Sequence, residues 1–152
     1  MEKDQQYILI YMSHFTGTPD EIPNILDQIC EQSKLKNQMA GITGFLFYQN
    51  HRFLQVLEGS DQNLKTLYDK LLKDTRHKEL RLIEYSPIIR KSLSDWHLDT
   101  FDLSNNDTIT LEELETFNLQ FKHNCQIDSQ LFVATLKDTL QQRKCSKIES
   151  SI

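Results

Sequence analysis

Gln55 stands at the centre of an apolar run, Phe53-Leu54-Gln55-Val56-Leu57. Side chains alternate along a strand, so Gln55 shares a face with Phe53 and Leu57. A carboxamide buried there without a partner costs roughly 1–3 kcal/mol. Something polar must therefore meet it. Tyr11 lies in a second apolar segment, Tyr7-Ile8-Leu9-Ile10-Tyr11-Met12, and its hydroxyl has the same need. The pattern alone fits a solvent-facing Gln55 and a core-filling Tyr11 somewhat better. Asn37 brings a second carboxamide. Its donor and acceptor suit a heterocycle edge that presents C=O beside N–H, although Asn at a helix C-terminus is also common for local reasons. Lys36, Lys70, Arg76 and His77 fall near helix ends that could converge on one cleft mouth and meet a phosphate-bearing tail. Dipole complementation and solubility explain the same charges.

Other chemistries lack their residues. GxGxxG, the P-loop and G-x-S-x-G do not occur. Asp27 and Glu31 are four apart on a helix, as many solvated carboxylates are. The five histidines have no metal-ligand spacing. Cys30, Cys125 and Cys145 are odd in number and far apart, forming neither a disulfide framework nor a CxxC site. A reducing cytoplasm suits that usage. The net charge of −5 argues against direct nucleic-acid binding. No secretion signal opens the chain, and no apolar run approaches the ~20 residues of a membrane span.

The elements that hold these residues can be read from periodicity. Tyr7–Met12 predicts a buried strand, and Thr16-Gly17-Thr18-Pro19 breaks it. Asp20 can cap the helix that follows, with Pro23 in its first turn. Ile22, Ile25, Leu26, Ile29 and Ser33 share one face of that helix, which ends near Asn37. Ile42–Tyr48 and Arg52–Glu58 form a hairpin around Gln49-Asn50-His51. Gly59-Ser60-Asp61 starts a second helix with the stripe Leu64, Leu67, Leu71 and Leu72, closing near Asp74–His77. Leu80–Tyr85 is a fourth strand. Trp96–Phe101 is a fifth, with Trp96 and Leu98 facing one way and His97 and Asp99 the other.

The order β-α-β-β-α-β-β is an α+β, ferredoxin-like core with both helices on one sheet face. The first three strands are apolar on both sides, so the other face also needs a cover. Ser104-Asn105-Asn106-Asp107 reads as a linker to it. Thr110-Leu111-Glu112-Glu113 is a capping box, and Leu131, Phe132, Leu136 and Leu140 mark a last helix. The expected division is therefore a core over residues 1–103 and a helical cap over 104–152.

Taken together, these segments resemble the BLUF family of flavin-binding blue-light sensors. The resemblance runs from about residue 7 to 103. It is carried by Tyr7–Ser13, Asn37-x3-Gly41-Ile42-Thr43-Gly44, Phe53-x-Gln55-x-Leu57-Glu58-Gly59, Asp74-x-Arg76-His77 and Trp96. It implies an isoalloxazine ring held non-covalently between the two helices. Tyr11 then matches the photoactive tyrosine, and Gln55 the glutamine bridging that phenol to the ring. Asn37 matches the asparagine on the C4=O and N3–H edge. Arg76 matches a residue facing the other ring carbonyl, and Lys36, Asp74 and His77 match positions around the tail. Ser33 stands close by, and Ile29, Phe53 and Leu71 would be apolar walls.

The resemblance further implies FAD as cofactor, with FMN or riboflavin as alternatives. Light would rearrange the Tyr–Gln–flavin hydrogen bonds and leave no chemical product. Output would run through self-association and a separate regulatory protein, with no catalytic activity in the chain. Two positions depart from the family. Leu98 stands where many members have Met, two residues after Trp96, and Met12 stands where many have a small residue. The alternatives are a small flavin-dependent oxidoreductase, which needs a nicotinamide or substrate site that no residues suggest, and a colourless interaction module whose pocket is simply core.

Overall fold

A computed structural model describes residues 5–89 and 97–104, with the backbone alone at His97 and Asp99. The expected residue 104–152 cap and Trp96 lie outside the described residues, Ser104 excepted. The element order is β1 (Gln6–Phe15), a 3-10 turn (Pro19–Glu21), α1 (Ile22–Met39), β2 (Thr43–Gln49), β3 (Arg52–Ser60), α2 (Asp61–Lys73), β4 (His77–Ile88) and β5 (His97–Asp102). The strands form one sheet in the order β4-β1-β3-β2-β5. Each neighbouring pair among the first four is antiparallel, and β5 joins β2 in parallel. This is the ferredoxin-like α+β arrangement read from the sequence, with β5 added at one edge.

Both helices serve one face. α1 lays Ile22 and Leu26 against Phe15, Leu46, Tyr48 and Phe53. α2 lays Leu64, Leu67 and Leu71 against Leu9, Tyr11 and Leu57. On the other face Ile8, Ile10, Met12, Phe45, Phe47, Leu54, Val56, Phe101 and Leu103 are buried together. Among the described residues this second cluster is drawn from the sheet and its exit at Leu103 alone.

Several local expectations change. Thr18, not Asp20, caps the first helical turn: Thr18 N–H donates to Glu21 Oε1 at 2.8 Å, while Asp20 accepts from the Thr18 hydroxyl. Leu72 leaves the α2 stripe and is exposed, because Leu64, Leu67 and Leu71 already fill the buried arc. β4 runs well beyond Leu80–Tyr85 in both directions, since β1 offers it a longer backbone edge. The strict alternation read for the fifth strand breaks at Leu98. Its neighbours pair as Gly44–His97 and Phe45–Asp99, leaving Leu98 as the extra residue of a bulge at φ +74°. Cys30 is buried in α1, while Cys125 and Cys145 lie outside the described residues.

The hairpin between β2 and β3 turns on Asn50 and His51, both at positive φ, the geometry of the tightest right-twisted connection. Gly41, at φ +70°, ends α1 and lets Gly41 N–H reach the Gln38 carbonyl.

Candidate functional site

Tyr11 and Gln55 are direct cross-strand partners on β1 and β3. They are 2% and 4% exposed. The Tyr11 hydroxyl donates a hydrogen bond to Gln55 Oε1. A phenol has one proton to give, so it takes the carboxamide oxygen and leaves the amino group for another acceptor. None of the described residues accepts from that group. Burial raises the Tyr11 pKa well above the usual phenol range, and the Asp74 carboxylate adds to the effect against Arg76. Tyr11 therefore stays protonated until something removes an electron from it.

Gln55 opens onto a cavity of about 280 Å³ between α1, α2 and the sheet. Small-molecule pockets begin near 300 Å³. The α1 wall is Ile29, Ser33, Lys36 and Asn37, which helical spacing puts on one face. The α2 wall is Lys70 and Leu71, continued by Asp74, Arg76 and His77. Tyr11, Phe53, Gln55 and Leu98 form the floor. Every site residue named from the sequence, Trp96 apart, thus lines one cavity.

The contacts of these residues differ from one another. Asn37 is buried, yet its carboxamide has no hydrogen-bonding partner among the described residues. Lys36 and Lys70 are exposed at the mouth. Arg76 closes a fork on Asp74, with Nε 3.0 Å from Oδ1 and Nη2 2.6 Å from Oδ2. Its Nη1 reaches Gln32 at 3.3 Å. That hydrogen bonding lowers the Asp74 pKa and raises that of Arg76. His77 bonds through both ring nitrogens, to the Ser13 hydroxyl at 2.7 Å and the Leu71 carbonyl at 2.6 Å.

Sequence reasoning missed several lining residues. Asn63, Thr66 and Leu67 line the cavity with Lys70 and Leu71, and the α2 periodicity that names the last two also names the first three. Leu46 follows from its cross-strand pairing with Gln55. Asn63 also staples the helices, its Nδ2 donating to the Ala40 carbonyl at 2.7 Å.

The cavity fits a flavin ring on two observations. Apolar walls at Ile29, Phe53, Leu71 and Leu98 suit a flat aromatic body. Two buried carboxamides hold donors, and in Asn37 an acceptor, toward a space where no described residue meets them, and a buried amide is costly unless paired. Among the described residues no cluster has the make-up of a metal site, and no helix is long and apolar enough to cross a membrane.

Comparison with known proteins agrees with this geometry. Residues 7–99 match the family described as "BLUF: Sensors of blue-light using FAD". The photoactivated adenylate cyclase subunit beta of Euglena longa is 32% identical over 102 residues, 67% of this chain but 12% of that protein. The dark-state structure of BlrB, a BLUF protein, superposes with a TM-score of 0.65 at 26% identity, covering 82% of this chain and 92% of that one. Klebsiella pneumoniae BlrP1, solved with FMN and cyclic diGMP, gives 0.61 at 28% identity over 73% of this chain and 29% of its own. The chain thus spans only a small part of the curated relatives it matches. Within the matched span the assignment is plain: this chain belongs to the BLUF family of blue-light sensors.

Proposed function

We propose that this chain binds flavin between α1 and α2 and converts blue light into a changed hydrogen-bond network. The observation that carries the reading is the buried Tyr11–Gln55 hydrogen bond on the wall of a ring-sized cavity. Flavin, when bound, supplies blue absorption and a strongly oxidising excited state. The chain's residues do the rest. Tyr11 gives up an electron and, made acidic by that loss, passes its proton to Gln55. Both return, so no net oxidation remains. Gln55 does not settle back into its starting arrangement, because its oxygen and amino group can exchange roles between Tyr11 and the ring edge. Two such arrangements can each satisfy the buried donors and acceptors, which makes the switch bistable.

Asn37 would hold the ring edge with a donor and an acceptor that meet no described residue. Ile29, Phe53 and Leu71 would wall the ring, and Ser33 would support the network. Lys36 and Lys70 hold the phosphates of FAD, with FMN as the shorter-tailed alternative. Asp74 and Arg76 neutralise each other and shape the corner between α2 and β4. Leu98, which lines the cavity with Gln55, and Trp96 are the switch-associated residues of this reading.

Output passes through protein–protein contact, with residues 104–152 as a cap on the far sheet face, self-association, and a separate regulatory partner. The burial of nine apolar side chains on that face supports such a cover. In this reading the chain is a sensor without turnover, works in the cytoplasm, and contacts neither nucleic acid nor membrane.

A light-minus-dark absorption spectrum of the flavin-loaded protein tests the reading. A reversible red shift is expected, and Tyr11→Phe should keep the flavin and lose the shift. Bleaching to reduced flavin would instead support a redox enzyme, and an unchanged photocycle in Tyr11→Phe would remove the assignment.

A further inference from the structure

We infer that Ser13 and His77 are positioning residues that steer the Tyr11 proton to Gln55, an inference that rests on the light-sensing reading above. His77 opens β4, just past the end of α2. Its Nε2 lies 2.6 Å from the Leu71 carbonyl oxygen. A carbonyl only accepts, so Nε2 carries the ring proton and donates it. In the neutral ring Nδ1 is then the acceptor, and the Ser13 hydroxyl, 2.7 Å away, donates to it. Neither nitrogen is left for a phosphate or a ribityl hydroxyl.

The same ring braces the photoactive phenol. It meets Tyr11 edge-on at 5.9 Å between centroids, and Phe53 at 6.5 Å. Ser13 is 1% exposed and lies two residues beyond Tyr11 on the same face of β1. A hydrogen-bonded path therefore runs from the carbonyl end of α2, through the imidazole, to the strand that carries Tyr11.

The chemical consequence concerns competition. An imidazole with a free nitrogen is a far better base than a carboxamide. Beside an oxidised phenol it would take the proton that Gln55 has to receive. Ser13 occupies Nδ1 and Leu71 fixes the tautomer, so the imidazole holds Tyr11 without accepting from it. Asp74 and Arg76, which also act on Tyr11, are already bound to each other.

The test uses flavin-loaded wild type, Ser13→Ala, His77→Gln and the double variant. Ser13→Ala, which does not line the cavity, should bind FAD and riboflavin as the wild type does. Its yield of the red-shifted state should fall about fivefold, the effect expected for one lost hydrogen bond. Gln at position 77 can accept from Ser13 and donate to Leu71 but is no base. Yield in His77→Gln should stay near wild type, and the double variant should lose little more. Nitrogen NMR of the dark wild type should show His77 as the Nε2–H tautomer.

Wild-type yield in Ser13→Ala, or an Nδ1–H ring, would overturn the inference. So would a selective loss of FAD over riboflavin in His77→Gln, which would make His77 a tail ligand. A wild type that binds flavin without any red shift would overturn the light-sensing reading, and this inference with it.

Discussion

Among the described residues the hydroxyl of Tyr11 has one hydrogen-bond acceptor, Gln55, and burial keeps it neutral. That neutrality has a pH consequence. An unfolded tyrosine ionises near pH 10, whereas the folded Tyr11 resists ionisation at that pH. Its contribution to stability is therefore intact below pH 10 and is lost as the pH rises above it, by up to about 1.4 kcal/mol per unit. Denaturant titrations should show a steeper alkaline loss in the wild type than in Tyr11→Phe; equal slopes would contradict the burial argument. If Asn37 holds the ring edge as proposed, Asn37→Ala removes two neutral hydrogen bonds and flavin affinity should drop about thirtyfold. Replacing Lys36 and Lys70 together by Ala should weaken FAD but not riboflavin, and the difference should shrink as salt screens the phosphates. Fluorescence titration reads both effects. At this scale the sequence was informative because polar side chains in apolar strands stand out. It was silent about what each polar group touches. The sequence does not show that the turn between α2 and β4 closes Arg76 and Asp74 into a fork at the cavity edge.

The elements place these groups through a few backbone requirements. Gly44 shows one. A Cβ at this position would lie 2.0 Å from the Val56 carbonyl oxygen and 3.0 Å from Leu57 Cα. Gly44→Ala should therefore force β2 away from β3, beside Gln55, and cost at least about 3 kcal/mol in a thermal or chemical melt, near the upper end for point substitutions. A stability change under 1 kcal/mol would mean that the strands yield easily. The Gly41–Gly44 motif thus shapes the floor of the cavity: one glycine closes α1, the other admits a neighbouring strand. Strands and helices were legible from period-two and helical alternation, and the crossover logic of β-α-β units gave the helices their common face. The parallel pairing of β5 with β2 was not legible. Neither was the Leu98 bulge, since an extra residue leaves no trace in composition. Leu72 shows the converse limit, as an apolar residue one position beyond a filled stripe is simply exposed.

On the scale of the whole molecule, the sheet separates two buried layers. One contains the cavity; the other is the cluster of Ile8, Ile10, Met12, Phe45, Phe47, Leu54, Val56, Phe101 and Leu103. If residues 104–152 form its cover, a chain ending at Leu103 should expose an apolar surface large enough to drive association. Light scattering should then show self-association, with strong binding of a hydrophobic dye. A monomeric, dye-silent truncation would refute the proposed cap. Residues 54, 55 and 56 sit consecutively on the central strand, the middle one facing the cavity and its neighbours facing away. If the reverse face carries the output, as proposed, receiver and transmitter are back to back, one peptide unit apart. Such a division makes the receiver portable: whatever machinery rests on the reverse side can be exchanged during evolution without retuning the colour it detects.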